Sequence, residues 1–299
     1  MIVLIPFFLA ANVSVNDTSE WTYGPEYSFN VNLTYVVKSD LAVPDLASIM
    51  QVISAMKCRP KELENSLLCR LQNSTMSVNK DNTSREIATE QMFEIRFSER
   101  GVESLLIEPP TYMEVVNFIR KVASQLSVGA DMKRKIGMSQ FMSRENTSMG
   151  DCATVYRITR ELPETSEPLE VAENADFQLV VLPMADARPG TSLTIEKSRM
   201  GCINPPRYVD FSMGILKMKR FYSTIHVDGV DRFESFTEID GKLRPPTESK
   251  ISLKILTFTS QLRLSLDSIE PAQDPLPSVP YGEVIDLNTN NDVPINIID

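Results

Sequence analysis

The sequence predicts a mainly β protein built around a single α-helix, and three observations carry that prediction. Short stretches that alternate apolar and polar residues recur along most of the 299 residues. One segment alone, 111–128, keeps a 3.6-residue apolar period instead. A strand bearing a cysteine, Gly150-Asp151-Cys152-Ala153-Thr154-Val155-Tyr156-Arg157-Ile158, follows soon after it.

The helix carries its own start and stop signals. Pro109 and Pro110 keep the backbone ahead of it extended, Thr111 stands at an N-cap position, and Glu114 completes a capping box. Val115, Val116, Ile119, Val122, Ala123 and Leu126 form one apolar stripe, with Asn117, Arg120, Lys121 and Gln125 between them. Gly129 suits a left-handed residue after the last turn.

The strands come in sequence order. In 27–37, Tyr27, Phe29, Val31, Leu33, Tyr35 and Val37 alternate with mostly polar residues. Further candidates are 49–57, 67–78, 91–97 and 102–108, the last two forming a hairpin across Ser98-Glu99-Arg100-Gly101. After the helix come 154–159, 177–182, 192–197, 208–218, 221–227, 233–239, 251–258 and 262–266. Strands this numerous and this short imply a barrel or a sandwich. The segment 161–176 reads as a surface loop, and 269–299, with five prolines and no Lys or Arg, as a disordered acidic tail.

Compartment follows from the first residues. The apolar run 1–11 is too short to span a bilayer and ends in small residues, which reads as a secretory signal. No other stretch is long enough to cross a membrane, so a secreted, extracellular chain is expected. Sequons at Asn12, Asn16, Asn32, Asn73, Asn82 and Asn146 agree with export and mark glycosylation sites. Export also permits disulfides: Cys58, Cys69, Cys152 and Cys202 allow three full pairings, which sequence does not separate.

Chemistry-bearing patterns are scarce. His226 is the sole histidine and sits in a strand pattern, and neither a Gly-x-Ser-x-Gly elbow nor a phosphate-cradling glycine loop is present. No catalytic residue, metal ligand or cofactor is therefore expected. The formal net charge of −10 argues against nucleic acid. Two basic clusters interrupt the acidity, Lys133-Arg134-Lys135 and Lys217, Lys219 and Arg220.

In their order along 21–268 the motifs resemble the N-terminal domain of vitellogenins, within the large lipid transfer protein family. Trp21-x-x-Gly24-x-Glu26-Tyr27 opens the domain. Phe93-Glu94-Ile95-Arg96-Phe97 and Gly101-Val102-Glu103-Ser104-Leu105 match its central hairpin, Gln125-Leu126-Ser127-Val128 the end of its helix, and Gly150, Cys152, Thr154 and Tyr156 the strand that follows. Phe211 and Gly214 follow Cys202 more loosely.

The resemblance implies a barrel-like N-sheet wrapped around the helix and a disulfide between Cys152 and Cys202. It also implies a recognition role toward receptors of the lipoprotein-receptor type, through a segment similar to 193–199. Leu193, Thr194 and Lys197 match that segment, while Ile195 stands where a further basic residue is usual, so fewer cations meet an acidic partner. Lys217, Lys219 and Arg220 join this candidate receptor contact. The helical solenoid and lipid-enclosing sheets of typical members have no counterpart in the sequence. The expectation is a non-enzymatic binding domain; the alternatives are a small carrier of lipid or another apolar ligand, and a truncated form of a full lipid-transporting vitellogenin.

Overall fold

A computed structural model describes residues 2–5, 9–12, 21–39, 47–61, 65–78, 84–108, 112–132, 135, 137–161, 178–181, 192–203, 208–209, 212–213, 215–228, 232–244, 256–277 and 282–287. In chain order the strands ahead of the helix are β1 (Ile2–Ile5), β2 (Leu9–Asn12), β3 (Pro25–Ser39), β4 (Ala47–Pro60), β5 (Ser66–Val78), β6 (Ser84–Glu86), β7 (Met92–Ser98) and β8 (Gly101–Ile107). The helix is α1 (Met113–Ser124). Behind it come β9 (Gln140–Thr147), β10 (Gly150–Glu161), β11 (Gln178–Val181), β12 (Ser192–Ile203), β13 (Tyr208–Val209), β14 (Ser212–Met213), β15 (Ile215–Asp228), β16 (Arg232–Arg244), β17 (Leu256–Pro271) and β18 (Glu283–Asp286).

Thirteen strands make one antiparallel sheet in the order β18-β8-β7-β5-β4-β3-β17-β16-β15-β12-β10-β9, with β6 against β5. The early strands and the late ones meet where β3 pairs with β17, Leu33 opposite Leu262. The sheet is not closed into a barrel by backbone pairing, because β9 and β18 are its two ends. Side chains bridge the opening instead: Asn146 Nδ2 donates to Asp286 Oδ1 at 2.8 Å, and Arg100 on the β7–β8 turn donates to the Arg144 carbonyl at 2.5 Å. The edges that a flat sheet would expose thus face each other.

The inner face is apolar for the reason the sequence gives. On β3, Tyr27, Phe29, Val31, Leu33 and Tyr35 point inward, and on β17 Phe258, Leu262 and Leu264 do so. Phe29 packs edge-on to Phe233 across the interior, with ring centroids 6.1 Å apart.

Into this concavity goes α1. Val116, Phe118, Ile119, Val122 and Ala123 are buried, as the apolar stripe predicts, but so are Asn117, Arg120, Lys121 and Gln125. From Val115 to Ala123 the helix has no wet side because the sheet surrounds it. Each buried polar group on α1 is met by a partner. Lys121 Nζ donates to Tyr35 Oη on β3 at 3.1 Å, and Arg120 Nε donates to the Asp286 carbonyl on β18 at 2.9 Å. Gln125 bonds Ser235 and Thr237 on β16.

Several expectations are corrected. The N-cap of α1 is Tyr112, without a side-chain cap bond, so Glu114 completes no capping box; Thr111 lies outside the described residues. β9 and β18 are strands that the alternation did not mark, and 262–266 is continuous with β17. The segment from 269 onward is not wholly a disordered tail. Arg59, itself buried, holds it through the Asp274 carboxylate at 3.1 Å and the Asp274 carbonyl at 2.7 Å. Further on, β18 pairs with β8 and Leu287 is buried in the core. A composition rule misses this because four strand residues suffice to seal an edge.

The residues read as a secretory signal, 1–11, contribute β1 and most of β2, which pair with each other and with β11. Most of the expected loop 161–176 lies outside the described residues.

Candidate functional site

Where α1 ends, Glu145, Lys197 and Arg199 gather as a set of buried charges, the densest among the described residues. The helix stops at Ser124, and Gly129 adopts φ 82°, a left-handed conformation that a side chain would strain. A Cβ there would fall on the carboxylate of Glu145. This close approach lets β9 slide its one buried carboxylate beneath the end of the helix.

Glu145 is matched from β12. Lys197 Nζ donates to Glu145 Oε1 at 2.9 Å, and to the Ser127 and Val128 carbonyls at 2.7 and 3.3 Å. A cation thus sits at the negative end of the helix dipole and satisfies carbonyls just past its last turn. Arg199 Nε donates to Glu145 Oε2 at 2.6 Å, another guanidinium nitrogen to Oε1 at 3.0 Å, and the third to Ser223 Oγ at 2.8 Å. Its guanidinium lies 4.2 Å from the centroid of Phe221. Thr154 Oγ1 gives Glu145 a further bond at 3.1 Å. Burial alone would raise the Glu145 carboxyl, but Arg199 and Lys197 outweigh it and hold it well below the usual carboxylate range.

This geometry overturns the reading of Lys197 as a receptor contact. Its side chain is 2% exposed and points into the sheet, as does that of Leu193. Strand alternation decides it: Leu193, Ile195 and Lys197 share the inner face, so a lysine on that register is buried whatever its chemistry suggests. Thr194 faces outward, bonded to His226 Nδ1 at 2.9 Å. Lys217, Lys219 and Arg220 are exposed on β15, and Arg220 pairs with Glu238 at 3.0 Å. The candidate contact therefore divides into a buried half and an outward half.

The remaining predicted sites fall as follows. Cys58 is bonded to Cys69 and Cys152 to Cys202, one of the three pairings left open by the residues and, for the second bridge, the one the resemblance implied. Asn32, Asn73 and Asn146 are exposed, while Asn16 and Asn82 lie outside the described residues. Lys133 and Arg134 also lie outside them, and Lys135 Nζ stands 5.3 Å from the Phe141 ring centroid.

Sequence reasoning missed Glu145 altogether. A lone glutamate in Ser143-Arg144-Glu145-Asn146-Thr147 reads as solvent-facing, and the cue that could have found it is Gly129, whose missing side chain leaves the space.

A small cleft of mixed lining adjoins the cluster, with Lys121, Gln125 and Arg199 beside Phe221, Ile239 and Leu262 among others. Its volume of about 20 Å³ is room for roughly one water. Among the described residues no group of three His, Cys, Asp or Glu side chains stands ready to hold a metal, and no helix is long and apolar enough to cross a membrane.

Comparison with known proteins agrees with the fold. The family model for the vitellogenin N-terminal domain matches residues 50–199. No curated protein matches the chain by sequence. A solved structure described as lipid–protein interactions in lipovitellin superposes with a TM-score of 0.56 at 10% identity, over 90% of this chain and 28% of that one. At that identity the likeness is one of fold, and this chain spans little more than a quarter of its neighbour.

Proposed function

Because this chain belongs to the vitellogenin N-terminal domain family, a family of lipid transporters, we propose that it acts as a secreted, glycosylated, non-enzymatic recognition domain. Its contacts are made by the outer sheet face and loops, and the partner is a cell-surface receptor of the lipoprotein-receptor type. The observation that carries the reading is the burial of α1 on all sides. The concavity of the sheet is occupied by protein, with Phe118 and Ile119 where an apolar ligand would otherwise sit. What remains available for recognition is the outside, including Lys217 and Lys219.

Lipid carriage is the second reading, favoured by the printed subject of the lipovitellin structure. A one-water cleft offers an acyl chain no space. Native mass spectrometry of the secreted protein separates the two readings. The recognition reading expects the mass of the glycosylated chain alone, and stoichiometric lipid that leaves only on delipidation overturns it. Binding to a lipoprotein-receptor ectodomain, measured by surface plasmon resonance, is expected as well.

A further inference from the structure

One row of outward side chains on the sheet is unusual. Register places Lys217 on β15 opposite Lys242 on β16, Lys242 opposite Thr257 on β17, and Thr257 opposite Lys38 on β3. All four residues are exposed, while Leu216, Leu243 and Leu256 on one side of the row and Phe258 and Val37 on the other turn inward. Like charges directly opposite each other on neighbouring strands are destabilising. Lys217 and Lys242 are such a pair, in a chain whose net charge is −10.

Local backbone structure adds to the array. The β15–β16 register shifts between Met218 and Arg220, so Lys219 is an extra residue in the ladder, and it too is exposed. Gly241 permits this, since a Cβ there would meet the Lys217 carbonyl at 2.6 Å. Lys38, Lys217 and Lys219 make no ion pair among the described residues. The nearest carboxylates on β16 are engaged, Asp240 by Thr259 at 2.8 Å and Glu238 by Arg220 at 3.0 Å.

We propose that this lysine row, Lys38, Lys242 and Lys217 with Lys219 beside it, is a binding site for a linear sulfated polysaccharide. The charge sign requires an anion, and the geometry narrows the class. The row crosses three strand spacings in a straight line, about 14 Å, which suits an extended chain carrying repeated charges. A protein partner would want an apolar or aromatic anchor at the centre of its contact. None of the strongly exposed large apolar side chains among the described residues lies on β3, β15, β16 or β17; they sit instead on β4, β5, β9, β12, β18, near α1 and at Tyr23. Ammonium groups without an apolar centre bind a polyanion by displacing its counterions. Lys217 and Lys219 also belong to the receptor reading, so the test below is arranged to tell the two ligands apart.

The test uses the full secreted chain on immobilised heparin. Retention is expected at about 0.15 M salt, where long-range attraction is already screened. The triple variant Lys38→Ser, Lys217→Ser, Lys242→Ser should lose at least about tenfold in affinity, with a salt slope shallower by roughly two to three. The triple Lys→Arg variant should keep binding. Thermal melts of the Ser and Arg variants, read before the column, separate lost binding from lost folding. Flow-through of the wild-type chain, or equal retention of the Ser variant, overturns the proposal. So does capture of an acidic receptor module through these lysines when heparin is not bound.

Discussion

Lys197 Nζ and Glu145 Oε1 lie 2.9 Å apart with side chains only 2% and 3% exposed, on strands joined through β10. The pair fastens the end of α1 to the sheet, since the same ammonium bonds the Ser127 carbonyl. Removing one partner strands the other charges in the interior. Glu145→Gln leaves Lys197 and Arg199 without their counter-ion and should destabilise by about 3–5 kcal/mol in chemical denaturation. Lys197→Met keeps the Glu145–Arg199 pair and should cost less than Glu145→Gln; added to Glu145→Gln it removes one of the two stranded cations, so the double variant should be less destabilised than the sum of the singles. A double variant as unstable as the sum of the singles would refute the coupling.

Lys121 gives the fold a pH dependence of definite sign. Burial depresses its ammonium from the ordinary 10.5 to about 7. Between those values the unfolded chain binds the proton and the folded one does not. This group therefore makes stability rise with pH from about 7 toward 10.5, and its charging penalty is fully present below 7. Lys121→Met should raise the melting temperature at pH 6 and change it less at pH 9.5. A gain that is equal at both values would show that the ammonium is not charged at a cost inside the sheet.

The seam between β9 and β18 rests on short contacts. Asn146→Asp sets a carboxylate against Asp286, which should loosen β18 by about 1 kcal/mol and raise hydrogen exchange at the amides of 283–286. The centre of β3 should stay protected. A glycan on Asn146 would compete for the same amide, so abolishing the sequon with Ser148→Ala, which leaves Asn146 as asparagine, should slow exchange at β18 in the native glycoprotein.

The two disulfides should differ in weight. On the chain-entropy account, the loop of 50 residues closed by Cys152–Cys202 contributes about 4 kcal/mol, and the loop of 11 closed by Cys58–Cys69 about 3. Thermal unfolding of Cys152→Ala/Cys202→Ala and Cys58→Ala/Cys69→Ala variants should show that order.

Much of this was legible in the residues because alternation reports burial directly. β3, β4, β5 and β7 emerge close to where they lie, and α1 from its 3.6-residue period. The chemistry of Lys197 suggests a surface contact, but its parity does not: Leu193 and Ile195, four and two residues before it, already show the inner face. β9 escaped since its outward residues include Met142 and its inward ones include Glu145, which inverts the usual pattern. β18 escaped since burial by one neighbouring strand and one arginine leaves little trace in four residues.

The pairing of β3 with β17 joins residues as far apart as Pro25 and Pro271. During synthesis the strands before α1 and those after it can form hairpins as they emerge. The two halves cannot zip together until residue 271 has left the ribosome. Until then β3, already paired with β4, keeps its other edge open and α1 lacks half of its enclosure, so the nascent chain passes through a stage with its core strand half-paired.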